Sequence, residues 1–189
     1  MIKINKLLKY LTKIPFLKRF LPSTIRRICS LLKIEFFNIK YNGIHLRLKI
    51  TDAVDRHILF RGEYENEQIE YLLDSIEKYQ IKFFLDIGSN IGLYSILAEK
   101  RFPEIKIFAF EPHPDAFVRL ENNLRLNKSK NVISYNIALS NKNKKSFLSI
   151  ENNHKKAFKN FQSGGAQVND SGNIAICLSK GDDILKNTG

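Results

Sequence analysis

The sequence predicts an α/β fold organised around a parallel β-sheet. Apolar, strand-like segments occur near residues 82–87, 105–111 and 131–137, and helical periodicity fills the intervals 91–101 and 114–126. Short strands that alternate with helices of this length are typical of βαβ units with right-handed crossovers. Ligands of such sheets bind beyond the carboxyl ends of the strands, so the residues that follow each strand are the first candidates for a site.

Two elements are predicted ahead of this sheet. The dipeptide Asn42-Gly43 separates two alternating segments, residues 36–41 and 44–50, and is the strongest short-range signal for a β-hairpin. Residues 65–79 carry apolar side chains at helical spacing and predict a helix that leads into the first parallel strand.

The C-terminal part of the chain is less regular. Residues 145–150 and 174–178 read as strands, Gly181 begins a short helix, and the polar segment 151–172 contains the loop-forming run Ser163-Gly164-Gly165, which we expect to be mobile and to cover a substrate. A complete sheet of this type needs further strands, so we expect the domain to be truncated at its C-terminus. Strand 174–178 would then present an unpaired edge, and these 189 residues alone would show poor solubility or a low melting temperature.

The formal net charge of +12 is concentrated at the N-terminus, because residues 1–33 contain nine Lys and Arg and no Asp or Glu. We divide the chain accordingly into a basic helical leader (1–34), a β-hairpin with its connector (35–60) and the α/β domain (61–189). The leader is amphipathic, with apolar residues at helical spacing before Pro15 and a second short apolar segment after it. We expect a cytoplasmic protein whose leader contacts the inner face of a membrane, since such segments lie on anionic lipid.

Two other interpretations of the leader remain. A helical extension that packs on the domain or on a partner subunit explains the same pattern equally well. Nucleic acid is disfavoured as a partner, because the cations are not interleaved with stacking aromatic residues. The two cysteines, Cys29 and Cys177, lack metal-ligand spacing, so neither a metal site nor a disulfide framework is predicted.

The most informative motif is the run from Phe83 to Gly92, followed one helix and one strand later by Phe108-Ala109-Phe110-Glu111-Pro112. The first strand ends in Asp86 and a glycine turn, which leaves backbone N–H groups free for a ligand at the start of the next helix. The second strand ends in Glu111, which is the position of an acid that binds a ribose diol. The pattern predicts a nucleoside-cofactor site.

Glycine spacing separates the possible cofactors. The dinucleotide fingerprint G-x-G-x-x-G requires a second glycine where Asn90 stands, which disfavours a nicotinamide-dependent oxidoreductase. The phosphate loop G-x-x-x-x-G-K-[ST] fails as well, because Gly92 is followed by Leu93. The remaining pattern, D-x-G-x-x-x-G followed by the acid Glu111, resembles the S-adenosylmethionine site of Rossmann-like methyltransferases.

Longer segments between Phe84 and Asn141 resemble one particular family of methyltransferases. The segments Asp-Ile-Gly-Ser-Asn-Ile-Gly-Leu-Tyr-Ser, Ala-Phe-Glu-Pro-His-Pro, Leu-Glu-Asn-Asn-Leu-Arg-Leu-Asn and Asn-Ile-Ala-Leu-Ser-Asn are similar to those of the FkbM family of methyltransferases, as is Arg-Gly-Glu-Tyr-Glu at 61–65. The resemblance implies that S-adenosylmethionine is the cofactor and that Glu111 holds its ribose, while Ala138 approaches the adenine. The residues that it places around the methionine part are Asp86, Gly88, Ser89, Asn90 and Gly92.

Structural interpretations of the same residues remain open. Gly88 and Gly92 permit a tight turn in any protein, and Asp86 is also a reasonable helix N-cap. Glu111 is the most informative of these residues, because a carboxylate after an apolar strand and before a proline has no evident packing role.

The resemblance implies O-methylation of a hydroxyl on a sugar, polysaccharide or other metabolite, with a small molecule or glycan as acceptor. The catalytic base is unidentified: His113 lies in a Pro-His-Pro turn and is interpreted as structural, His154 is a weaker candidate, and Asp182 and Asp183 are expected to begin a helix. The chain stops at Gly189 without the Asp-Val-Glu-Gly motif of the resembling family. An inactive cofactor-binding remnant is therefore the alternative.

Overall fold

The computed structural model describes residues 15–150, 166–169 and 172–186, in two compact units. The first unit comprises the described residues up to 67, and the second comprises those from 68 onward. The apolar residues predicted as a helix before Pro15, the Ser163-Gly164-Gly165 run and His154 lie outside the described residues.

The first unit contains the predicted hairpin between two helices. Helix α1 (Pro15–Leu31) precedes strands β1 (Phe36–Tyr41) and β2 (Ile44–Lys49), which pair antiparallel. Asn42 and Gly43 have φ values of 44° and 80°, as a type I′ turn requires at both central positions. The hairpin is therefore confirmed, and α1 runs well beyond the short segment predicted after Pro15.

Helix α2 (Ala53–Arg61) was not predicted, because its stretch was interpreted as a connector. The Asp52 side chain accepts hydrogen bonds from the backbone N–H groups of Val54 and Asp55, and Gly62 ends the helix at φ 66°. A capping acid before the helix and a left-handed glycine after it are ordinary boundary signals. Both signals are present in the sequence and could have predicted this helix.

The second unit is built on a parallel three-stranded sheet, which α3 (Asn66–Lys78) precedes. Strands β3 (Phe83–Ile87), β4 (Lys106–Phe110) and β5 (Val132–Tyr135) lie in the order β3-β4-β5. Helices α4 (Leu93–Arg101) and α5 (Pro114–Asn127) form the connections. The predicted α/β fold with a Rossmann-like parallel sheet is confirmed.

One side of this sheet is packed by helices, and the other exposes apolar side chains on β3. Ile107 and Phe84 pack with Ile76 of α3 and Ala98 of α4 in a core cluster. The alternate β3 residues remain exposed, by 60% for Phe83, 42% for Leu85 and 64% for Ile87.

A second sheet of four strands follows in the same unit. It contains β6 (Ala138–Ser140), β7 (Lys144–Ile150), β8 (Ala166–Asn169) and β9 (Ile174–Lys180), in the order β6-β9-β7-β8, and helix α6 (Gly181–Leu185) follows β9.

The expectation of an unpaired edge at 174–178 is wrong. Strand β9 pairs parallel with β6 and antiparallel with β7, so it has a neighbour on each side. Strand β8 was not predicted within the polar segment 151–172, where Ala166–Asn169 pairs antiparallel with β7. Pairing with distant strands, which local composition does not report, accounts for both differences.

Candidate functional site

Asp86 lies near the carboxyl end of β3, with its side chain directed at the first turn of α4. Its Oδ2 accepts a hydrogen bond of 2.6 Å from Oγ of Ser95, and the Ser95 backbone N–H also donates to the carboxylate. Helix α4 begins after Gly92, which has no side chain with which to cap it. Asp86 is therefore not the N-cap of α4, but its carboxylate accepts hydrogen bonds from the first turn of that helix.

Glu111 follows β4 and is only 5% exposed. Its Oε2 accepts a 2.8 Å hydrogen bond from the backbone N–H of Asn90, and its Oε1 accepts one of 2.8 Å from the backbone N–H of His113. The expectation that this carboxylate has no packing role is wrong, because it joins the loop after β3 to the chain after β4. Each oxygen of an ionised carboxylate retains lone pairs for a ligand.

The two carboxylates interact electrostatically. Burial raises the pKa of Asp86 despite the two hydrogen bonds from Ser95. Burial likewise raises the pKa of Glu111, although hydrogen bonds from His113 and Asn90 and the charge of Arg119 oppose it, and the negative charge of Asp86 adds to the rise. A site that holds two such groups favours a ligand with positive charge or hydroxyl donors.

The loop after β3 has far fewer free backbone N–H groups than the motif suggested. Gly88 and Ser89 both donate to the carbonyl oxygen of Phe110, at 2.8 and 3.0 Å, and Gly92 donates to that of Ser89 at 2.7 Å. Since Asn90 donates to Glu111, these four amides are already used. Of the amides expected to be free at this turn, these four are therefore not free, and the loop offers few of the donors that bind a pyrophosphate.

Two side-chain atoms of the loop remain unsatisfied. Within the described part of the chain, Ser89 Oγ and Asn90 Oδ1 are buried and have no hydrogen-bond partner. Leaving such an atom unpaired costs about 1–3 kcal/mol, so an unpaired buried group calls for an explanation. Asn90 also adopts a left-handed φ of 49°. Backbone strain of this kind therefore coincides with one of the two unsatisfied side chains.

The two glycines of the motif act differently. Both have left-handed φ values, 80° for Gly88 and 81° for Gly92. A Cβ on Gly92 would lie 2.5 Å from Cδ1 of Leu120, so this glycine lets α5 approach the loop. A Cβ on Gly88 would meet nothing within 4 Å, and the loop therefore borders open space there.

Helix α5 and the segment after β5 support the site through residues that the sequence reasoning missed. Asn123, which is fully buried, donates from Nδ2 to the carbonyl oxygen of Ile91 at 2.9 Å. Nδ2 of Asn136 donates to the carbonyl oxygen of Glu111 at 2.7 Å. Asn123 shares the buried face of α5 with Leu120 and Leu124, and a polar residue at apolar helical spacing is a signal that could have identified it.

The described contacts of Ala138 are with the second sheet. It belongs to β6, pairs with Leu178 of β9 and packs against the core cluster of the second sheet. None of the described hydrogen bonds joins it to Asp86 or Glu111, so its predicted approach to an adenine stays a prediction.

The other titratable candidates have structural contacts. His113 is the N-cap of α5, where its Nδ1 accepts a hydrogen bond from the Asp115 backbone N–H. Asp182 and Asp183 lie in the first turn of α6, as expected from the sequence. The ring of His57 lies edge-on to that of Tyr64, with centroids 5.8 Å apart. Among the described residues, no group of three or more His, Cys, Asp or Glu could hold a metal ion.

Two curated methyltransferases are similar to part of this chain. Methyltransferase sdnD of Sordaria araneosa is 47% identical over 45 residues, which are 24% of this chain and 17% of that protein. Methyltransferase 1 of Beauveria bassiana (strain ARSEF 2860) is 32% identical over 57 residues, which are 30% of this chain and 23% of that protein. The matched part of the chain thus spans less than a quarter of either relative.

Solved structures give a likeness of fold. The SAM-dependent methyltransferase from Agrobacterium tumefaciens aligns with a TM-score of 0.44 and 14% identity, over 55% of this chain and 33% of its own. M. jannaschii TYW2, solved in complex with AdoMet, aligns with a TM-score of 0.40 and 22% identity, over 53% of this chain and 42% of its own. No family model matches the chain, so the resemblance to the FkbM family is not confirmed.

Proposed function

We propose that this chain is part of an S-adenosylmethionine-dependent methyltransferase. One observation carries the proposal: two buried carboxylates, Asp86 near the carboxyl end of β3 and Glu111 directly after the neighbouring parallel strand β4, flank a loop with two unsatisfied polar side chains, Ser89 and Asn90. The similarity to two curated methyltransferases supports the same activity.

The chemistry of the donors and acceptors fits this cofactor better than a dinucleotide. Glu111 offers carboxylate lone pairs to ribose hydroxyls, and the loop offers Ser89 Oγ and Asn90 Oδ1 to the polar groups of an amino acid. The cofactor carries a sulfonium and an ammonium group, whose positive charge suits an acidic site. Because the loop amides are used internally, the phosphates of a nicotinamide cofactor would find few donors.

In the proposed reaction, the cofactor supplies a methyl group already activated by its sulfonium sulfur. The residues of this chain bind the cofactor, fix its orientation and exclude water, and proximity of this kind lowers a barrier by roughly 7–11 kcal/mol. A hydroxyl acceptor would also need a general base. No described residue is assigned to that role, since His113 serves as the N-cap of α5.

We propose further that the acceptor is a hydroxyl of a sugar, polysaccharide or secondary metabolite, and that the protein works at the inner face of a membrane through the leader, residues 1–34. Within the part of the chain that the structure describes, no helix is long and apolar enough to cross a membrane.

A thermal-shift panel tests the cofactor assignment. S-adenosylmethionine and S-adenosylhomocysteine should each raise the melting temperature of the full chain, because a ligand that binds only the folded state stabilises it by mass action. NAD and ATP should not. Stabilisation by NAD alone would favour the oxidoreductase alternative.

Incubation with methyl-labelled S-adenosylmethionine and a mixture of glycan and metabolite acceptors tests the activity. Label recovered as an alkali-stable methyl ether supports O-methylation, whereas cofactor binding without any transfer supports the inactive remnant.

A further inference from the structure

Helix α1 from Phe20 onward and the turn after it expose a combination of apolar and basic side chains. We infer that this surface, made of Phe20, Arg27, Ile28, Leu31, Leu32, Lys33 and Ile34 and here called the α1 surface, binds anionic lipid headgroups. The inference deepens the peripheral location proposed above and is independent of methyl transfer.

The apolar members are large and strongly exposed. The exposed fractions are 51% for Phe20, 49% for Ile28, 83% for Leu31, 63% for Leu32 and 40% for Ile34. Phe20, Ile28 and Leu31 are eight and three residues apart along the helix, which places them on one face. Exposed apolar side chains grouped in this way mark an interaction surface.

The opposite face of α1 is occupied. Cys29 is buried, at 5% exposure, and the charge of Arg26 lowers the pKa of Arg56 on α2, after the larger effect of burial. Cys29 and the half-buried Arg26 thus lie on a different face of α1 from Phe20, Ile28 and Leu31. The apolar residues of the α1 surface therefore do not belong to the face of the helix that packs in the protein interior. They form a second apolar face, which is exposed to solvent.

Charge identifies the kind of partner. Arg27 and Lys33 are exposed within the α1 surface, and the first acid of the chain is Glu35. Strands β1 and β2 of the same unit likewise contain no Asp or Glu and expose Lys40 and Arg47. The surface thus complements an anionic partner.

A lipid surface explains both halves of the pattern. Aliphatic side chains insert at the boundary between headgroups and acyl chains, while Arg and Lys pair with anionic headgroups. Proteins that bind single-stranded nucleic acid use several aromatic side chains on which the bases stack. Phe20 is the one aromatic member of the α1 surface. We therefore assign the surface to anionic lipid.

Flotation of the full chain with vesicles tests the assignment. The chain should float with vesicles of phosphatidylcholine plus phosphatidylglycerol and stay in solution with phosphatidylcholine alone. Arg27→Ala should lower the partition coefficient about fivefold at low salt. The double variant Ile28→Gln/Leu31→Gln should lower it at least about tenfold, since it removes the inserted aliphatic groups.

The matched control is Tyr71→Gln/Val118→Gln, which removes exposed apolar side chains of 77% and 57% exposure from α3 and α5. It should float like the wild type. Equal flotation of the α1 double variant and the wild type would overturn the inference, as would equal binding to both kinds of vesicle. Retention of the chain by RNA but not by anionic vesicles would also overturn it. S-adenosylhomocysteine binding by the same variants tests the methyltransferase separately, because the α1 surface contains none of its proposed ligands.

Discussion

The backbone N–H of Asn90 donates a 2.8 Å hydrogen bond to Oε2 of Glu111, which is 21 residues further along the chain. This bond makes the acid after β4 and the loop after β3 parts of one arrangement. A ligand that binds Glu111 therefore contacts a loop whose backbone is already fixed. Binding then causes little further loss of conformational entropy in the loop.

The variant Glu111→Gln tests whether Glu111 both fixes the loop after β3 and binds the ligand. The amide keeps one acceptor oxygen but replaces the other with a donor, so either Asn90 or His113 loses its acceptor. We expect a loss of about 1–3 kcal/mol in the free energy of unfolding and a weakening of S-adenosylhomocysteine binding by at least about tenfold. Urea unfolding and calorimetry measure the two effects.

Glu99→Gln is the matched control. Oε1 of Glu99 accepts hydrogen bonds from the backbone N–H groups of Lys130 and Asn131, both at 2.7 Å, but Glu99 takes no part in the candidate site. Because both bonds go to one oxygen, the Gln carbonyl can still accept them, so this variant should lose little stability and keep ligand affinity. Equal loss of affinity in both variants would mean that the Glu111 effect is only structural.

Asp86→Asn should separate stability from binding. The folded-state pKa of Asp86 is raised above its ordinary value of 3.8, chiefly by burial. The proton is then bound more tightly in the folded state, so the stabilisation is complete below 3.8 and is lost as the pH rises through the folded pKa. An uncharged Asn avoids this loss and can still accept from Ser95.

We therefore expect Asp86→Asn to gain stability relative to the wild type as the pH rises from 4 toward neutrality, while it binds S-adenosylhomocysteine more weakly. Urea unfolding across this range measures the difference, and Asp74→Asn on the exposed side of α3 controls for the loss of one charge. A stability difference that shrinks with rising pH would contradict the proposed desolvation of Asp86.

Gly88→Ala and Gly92→Ala form a matched pair, because their φ values are nearly equal and their surroundings differ. Each should cost about 1–2 kcal/mol for a left-handed alanine. Gly92→Ala should cost more, since its Cβ would lie 2.5 Å from Leu120.

A double-mutant cycle tests whether the contact with Leu120 causes the extra loss of stability in Gly92→Ala. In a Leu120→Ala background the extra cost of Gly92→Ala should disappear, and the cost of Gly88→Ala should not change. Additive effects at Gly92 and Leu120 would show that the close approach of α5 is not what requires the glycine.

The exposed side of β3 should make the isolated chain prone to self-association. Among the described strands, β3 pairs with β4 alone, and Leu85 and Ile87 face solvent along it. The double variant Leu85→Thr/Ile87→Thr should raise the soluble concentration and lower the apparent mass in light scattering, because apolar edge strands promote association. Val118→Gln/Leu126→Gln on α5 should change neither quantity.

The sequence predicted elements whose signals are local. Asn42-Gly43 specified the hairpin turn, and the alternation of apolar strands with amphipathic helices specified β3 through β5. Strand β8 was missed because a short polar segment such as Ala166–Asn169 becomes a strand only by pairing with β7. The sequence also gave no sign that β9 lies between two neighbours, since strand order depends on contacts between distant residues.

The candidate site was predictable in its residues but not in its hydrogen bonds. Asp86 and Glu111 were identified from their positions at strand ends, and in the structure the negative charge of Asp86 contributes to the raised pKa of Glu111. Their bonds to Ser95 and Asn90 connect residues 9 and 21 positions apart, and no local pattern reports such bonds. Whether these residues hold a cofactor stays a prediction.

Calorimetric titration of the full chain with S-adenosylhomocysteine, with NAD as the comparison ligand, tests the central claim most directly. Saturable binding of one S-adenosylhomocysteine per chain, weakened at least about tenfold by Glu111→Gln and by Asp86→Asn but not by Glu99→Gln, is the result expected if both carboxylates hold the cofactor. Unchanged affinity in both acid variants, or binding of NAD in preference to S-adenosylhomocysteine, would contradict it.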